Sequence, residues 1–203
     1  MNEQPQSVLG ALRAATAGHH QAVETLLRLD PTALERGRYA RVLAGFGAFV
    51  PSWEPLVRRR LPARLQGWFD QRSRLPQLRR DLAVLGVPMQ PGAVDLAAAL
   101  PLPDLAAAFG SMYVLEGSAL GGQLIARGLN ARWALGPDNG AAYFTGWGAR
   151  TGALWADFRH RLAQEVALEP AARDSACTAA VRTFDALGLT FERVLTDGRH
   201  AAA

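Results

Sequence analysis

Apolar residues recur along this chain at three- and four-residue intervals, and alternating stretches of strand type are absent. The pattern predicts an all-α protein. The first periodic run is Ser7 to Leu29, with Ser7 as its N-cap and a stop before Asp30-Pro31; Thr32 is then expected to cap the next helix. That helix runs to about Phe49, bends at Pro51 and continues as SWEPLVRRRL. Shorter helices are expected near 63–73 and 76–86, set apart by proline and glycine. Pro103-Asp104 opens a long helix reaching about Trp133, LGPDNG follows as a loop, and two further helices fit about 149–167 and 170–196. No internal repeat or low-complexity linker divides the 203 residues, which predicts one domain over 1–203 with residues 1–6 and 197–203 frayed.

Two stretches depart from ordinary helix composition. In YVLEGSALGGQ, residues 113–123, Gly117, Gly121 and Gly122 lie inside the long helix. Three interior glycines cost about 3 kcal/mol relative to alanine, so something must offset them. Together with Ser118 they leave one broad face nearly bare, which lets either a neighbouring helix or a flat ligand approach the backbone. The helix is expected to bend or loosen there.

The second stretch is LRAATAGHHQAVETLL, residues 12–27. At about 100° per residue, Leu9, Leu12, Thr16, Val23 and Leu27 share one buried face, and His20 falls inside it. Arg13 lies two turns before His20 on the same side, Glu24 one turn after it, and His19 flanks the other edge. An imidazole with a carboxylate at i+4 and a cation two turns away suits a bound metal with an anionic periphery. A hydrogen-bonded core histidine is the plainer alternative.

Composition narrows the classes. With 49% apolar and 20% charged residues, the chain matches a soluble globular protein and not a disordered or membrane one. Neither a bilayer-length apolar run nor a signal-type N-terminus is present, so a cytoplasmic protein with no membrane association is expected. Cys177, the only cysteine, excludes an internal disulfide and reads as a buried small hydrophobe. The net charge is +4 and every basic side chain is arginine. Arg58, Arg59, Arg60, Arg64, Arg72, Arg74, Arg79 and Arg80 make the central third basic: a solvated face, or one that attracts an acidic partner. Interleaved aromatics and nucleic-acid motifs are missing, which argues against nucleic acid. HExxH, GxxxxGK and GxSxG are missing as well, so zinc hydrolysis, nucleotide use and serine hydrolysis have no support.

Taken together, the two stretches give the chain a resemblance to the heme oxygenases, bacterial ones in particular, over nearly its whole length. LRAATAGHHQAVE resembles the family's first-helix motif, with Thr16 four residues before the proximal histidine, His20, and Glu24 four after it. YVLEGSALGGQ resembles the distal-helix motif, with Gly117, Gly121 and Gly122 at its glycine sites. Tyr39 and FVPSWEP resemble the helix between them, and Phe184 and Phe191 resemble aromatic residues of the far pocket wall.

The resemblance implies a helical bundle with heme b between the first helix and the distal helix, its iron held by His20. Gly117, Ser118 and Gly121 would then be the catalytic contacts on the oxygen side. It implies opening of heme to biliverdin, carbon monoxide and ferrous iron with O2 and electrons from a ferredoxin or reductase, leaving iron acquisition and biliverdin supply to a phytochrome both open as purposes. Arg13 and Tyr113 are candidate propionate contacts, and Arg159 in WADFRHRL matches a basic site loosely. Two departures stand out: Ser118 occupies a position that is aspartate in animal members, and no lysine is available for the propionates. A heme carrier, store or sensor of the same fold is the alternative, and a helical adaptor a more distant one.

Overall fold

The computed structural model describes residues 7–30, 32–90, 92, 94–166 and 169–197, and all regular structure among them is helical. The termini expected to fray fall largely outside the described residues. Helix α1 is Val8–Leu27; the Ser7 hydroxyl caps it by accepting from the Gly10 N–H at 3.2 Å. It ends two residues earlier than the pattern predicts, because Arg28 turns left-handed (φ 50°) and donates its N–H to the Glu24 carbonyl. Thr32 caps nothing: the Asp30 carboxylate accepts both its N–H and its hydroxyl, closing a local turn that delays the next helix.

Helix α2, Arg36–Arg58, runs through Pro51 and Pro55. Short helices α3 (Ala63–Asp70), α4 (Leu75–Val84) and α5 (Leu96–Ala99) lead to α6, Leu105–Trp133. Asp104 caps α6 by accepting from the Ala107 N–H at 2.8 Å. Its helical run passes through Gly117, Gly121 and Gly122 without a break. After the LGPDNG turn comes a short helix that the pattern does not reveal, α7 (Ala142–Thr145). A single 3₁₀ turn precedes α8 (Thr151–Glu165), and α9 (Pro170–Asp197) closes the chain.

Helix α9 packs against α1, α2 and α6. Its contact with α6 is close enough that a Cβ at Gly110 would fall on the backbone of Ala176, and a Cβ at Gly45 on α2 would overlap the Phe191 ring. Buried hydroxyls pin the same junction: the Trp53 indole N–H and the Thr183 hydroxyl each donate to Ser111 Oγ at 2.8 Å, joining α2, α6 and α9. Around it Leu12, Leu43, Phe49, Phe109, Phe158 and Phe191 are fully buried in one apolar cluster, each worth roughly 1.5–3 kcal/mol. Cys177 is half-buried at the edge of that cluster, not inside it. α1 and α6 are joined chiefly through α9 and do not pack face to face. That leaves a cleft between them.

Candidate functional site

The cleft measures about 600 Å³. α1 contributes Arg13, His20, Val23 and Glu24; α6 contributes Tyr113, Gly117, Ser118, Gly121 and Gly122; α9 contributes Phe184, Leu187 and Phe191. Arg13, His20 and Glu24 of the first stretch and Tyr113, Gly117, Ser118, Gly121 and Gly122 of the second therefore meet across one space. Thr16 and Arg159 are not among the lining residues. The Thr16 hydroxyl turns back along its own helix to the Leu12 carbonyl at 2.8 Å and is buried, while Arg159 is exposed on α8.

His20 sits differently from its expected place in the buried face of α1. Its side chain is 57% exposed and faces the cleft, with the ring edge-on to Phe184 at 5.8 Å between centroids. The buried face is carried by Val8, Leu12, Thr16 and Leu27 instead. His20 Nδ1 lies 3.4 Å from Glu24 Oε2. A carboxylate beside Nδ1 favours the tautomer with its proton there, leaving the Nε2 lone pair as the ligating atom. His19 is drawn away from the cleft by Asp185, 2.9 Å from its Nδ1.

On α6 the three glycines have separate roles. A Cβ at Gly121 would meet nothing within 4 Å, and one at Gly117 only the edge of Trp155 at 3.9 Å. A Cβ at Gly122 would lie 3.0 Å from the Phe144 carbonyl oxygen. Gly121 thus bares backbone to the cleft, while Gly122 also admits α7. Between them Ser118 is held on both sides: its hydroxyl donates to the Leu115 carbonyl and accepts from Arg74 Nη2, each at 2.7 Å. One acceptor lone pair remains for a cleft molecule.

An open glycine backbone on one helix and an imidazole facing the same space from another, enclosed by apolar walls, suit a flat ligand whose metal His20 would bind. A family model described as Heme oxygenase matches residues 6–193. The chain belongs to the heme oxygenase family. A heme oxygenase of Xanthomonas campestris is 41% identical over 95 residues, 47% of this chain and 50% of that protein. Heme oxygenase PigA of Pseudomonas aeruginosa is 36% identical over 110 residues, 54% of each. These matches span about half the length of the curated relatives. Among solved structures, the heme oxygenase of Leptospira interrogans superposes with a TM-score of 0.75 at 19% identity, covering 92% of this chain and 99% of that one; it shares the fold.

Behind α6 of this heme oxygenase family member lies a polar cluster that the sequence does not reveal. Arg72 and Arg74, expected on a solvated basic face, are buried at 5% and 6% exposure. Arg74 donates to the Leu115 carbonyl at 2.8 Å as well as to Ser118, with its guanidinium 4.5 Å from the Tyr143 ring centroid. Arg72 pairs with Glu116 at 2.8 Å and Asp157 at 2.6 Å, stacked on Trp68. Burial pushes the Glu116 carboxyl up to about 7, against the pull of the two arginines. The other members of the expected basic face divide: Arg58 pairs with Asp70, Arg64 with Glu165 and Arg80 with Asp138, and Arg59, Arg60 and Arg79 are exposed. Asp81, fully buried, accepts the Ala142 and Tyr143 N–H groups at 2.9 and 2.7 Å and so fixes α7 against Gly122. No helix among the described residues is long and apolar enough to cross a membrane.

Proposed function

We propose that this chain is a cytoplasmic heme oxygenase, folded as one domain, that opens heme b to biliverdin, carbon monoxide and ferrous iron, with O2 and electrons from a donor protein. One observation carries the proposal: His20 and the open backbone of Gly121 line a single apolar-walled cleft. Bound heme would bring both the iron that activates oxygen and the ring that is opened.

The chain's own residues divide the remaining work. His20 would hold the iron through Nε2, with Glu24 fixing its tautomer. Arg13, two turns away on the same helix and lining the same cleft, would meet a propionate. Phe184, Leu187 and Phe191 would exclude water from one side of the ring. Gly117 and Gly121 would let the distal helix come near without a side chain in the way, and Ser118, its proton committed to Leu115, would accept a hydrogen bond from a distal water. Tyr113 and Gly122 also line the cleft from α6.

The test is a heme titration followed by absorption. Wild type is expected to give an imidazole-ligated ferric spectrum, and His20→Ala to lose it and recover it with added imidazole. A His20→Ala protein with the wild-type spectrum, or His19→Ala losing it instead, would reject this ligation.

A further inference from the structure

Across α6 from the cleft is a second cavity, of about 20 Å³, lined by Glu54, Arg72, Arg74, Glu116, Tyr143 and Trp147 among others. It has room for one water. The buried Tyr143 hydroxyl and Arg72 Nε have no protein partner, which gives such a water polar groups to meet. Leu115 belongs to both cavities, and the step from Glu116 to Ser118 crosses the helix from the small chamber to the cleft.

The charged groups around Glu116 come from every element packed there. Arg72 and Arg74 lie on the segment joining α3 to α4, Glu54 comes from α2 and Asp157 from α8. Asp157 is 43% exposed and has the Trp68 indole N–H and Arg161 besides Arg72. Glu54 accepts from the Ser73 hydroxyl at 2.8 Å. Glu116, 7% exposed, accepts a hydrogen bond from Arg72 at 2.8 Å and shares that guanidinium with Asp157. When Glu116 holds a proton, Arg74 faces Ser118 with one fewer negative charge behind it. When Glu116 gives that proton to bulk water, its carboxylate offsets the guanidinium.

Resting on the heme oxygenase function proposed above, we infer that Glu116 is a positioning residue for the α6 side of the cleft: its protonation sets the net charge of the Arg74 group behind Ser118 and hence, through the field of that guanidinium, how firmly an anion is held in the cleft. The carboxyl, raised to about 7, changes charge within the physiological range. No electron moves and no bond to the substrate forms; the effect is electrostatic and passes through Arg74.

The experiment compares wild type with Glu116→Gln as ferric heme complexes, titrated with azide and with imidazole, which ligates as the neutral base, the two proteins being compared at each pH from about 6 to about 8, a span that brackets the Glu116 transition. The ratio of wild-type to Glu116→Gln azide affinity should fall severalfold as pH rises, with imidazole showing no such trend. A flat azide ratio overturns the inference, and so does an equal trend for imidazole. Infrared titration of the wild-type and Glu116→Gln apoproteins gives a second measurement that needs no heme. Because Glu54 and Asp81 are also raised by burial, the band that counts is a protonated carboxyl present in wild type and missing from Glu116→Gln; it should vanish with a midpoint near 7, and if no such difference is present at about pH 6 the inference fails. If wild type binds no heme, the functional proposal falls and the anion role with it, while the infrared band still reports separately whether Glu116 ionises.

Discussion

Alanine placed in turn at Gly110, Gly121 and Gly122 should give apoproteins of graded stability, although all three glycines lie in the interior of one helix. Each substitution gains about 1 kcal/mol of helix propensity. At Gly121 nothing opposes that gain, since the new Cβ meets no atom within 4 Å; the apoprotein should be more stable than wild type by up to about 1 kcal/mol. At Gly110 the Cβ falls on the Ala176 backbone, and overpacking costs about 1–3 kcal/mol or more, enough to reverse the sign. Gly122→Ala should lie between, because its Cβ, 3.0 Å from the Phe144 carbonyl oxygen, demands a small shift of α7. With a urea slope of about 2 kcal/mol/M, the extremes should differ in midpoint by about 0.5–1.5 M or more. Gly121→Leu extends the test into the cleft: its apoprotein should be no less stable than wild type, while heme affinity drops by about tenfold or more, a loss of about 1.4 kcal/mol. Destabilisation of Gly121→Ala equal to that of Gly110→Ala would refute the assignment of Gly121 to a ligand face, as would Gly121→Leu with undiminished heme affinity and turnover.

Arg13→Ala should leave the apoprotein within about 0.5 kcal/mol of wild type and weaken heme binding severalfold or alter the biliverdin isomer mixture; unchanged values of both would remove Arg13 from the site. Ser118→Ala should cost about 1 kcal/mol in urea unfolding, since it deletes an acceptor for Arg74 while the Leu115 carbonyl still holds that guanidinium. The folded Glu116 carboxyl titrates near 7 against 4.5 for its ordinary value, so the folded state binds the proton more tightly. Wild-type stability relative to Glu116→Gln should therefore fall as pH rises between those values, by about 3 kcal/mol in all, and level off above them. A difference independent of pH would show that Glu116 titrates normally.

The all-helical class and most helix bounds were legible because amphipathic periodicity is local and Ser7 and Asp104 cap as their types suggest. Arg13, His20, Glu24 and the distal glycines were legible through spacing together with the family resemblance, and they do line one cleft. What escaped depends on contacts distant in sequence. Arg72 and Arg74 stand in a run of arginines like any surface run, and only Glu116, Ser118 and Asp157, from other helices, draw them inside. α7 has no periodicity to detect at four residues, and it is anchored by Asp81 from α4. The glycine whose absent side chain matters most for helix packing on α6 is Gly110, which stands outside the glycine-rich motif altogether.

The most direct test of ring opening supplies heme, O2 and a reductant to the purified chain and follows the absorption spectrum, with a ferrous chelator and a carbon monoxide trap present. The bound-heme spectrum should decay as biliverdin appears, with one equivalent each of ferrous iron and carbon monoxide per heme lost. A stable heme complex that yields no biliverdin would contradict the proposed activity and leave a protein of this fold that binds heme without opening it.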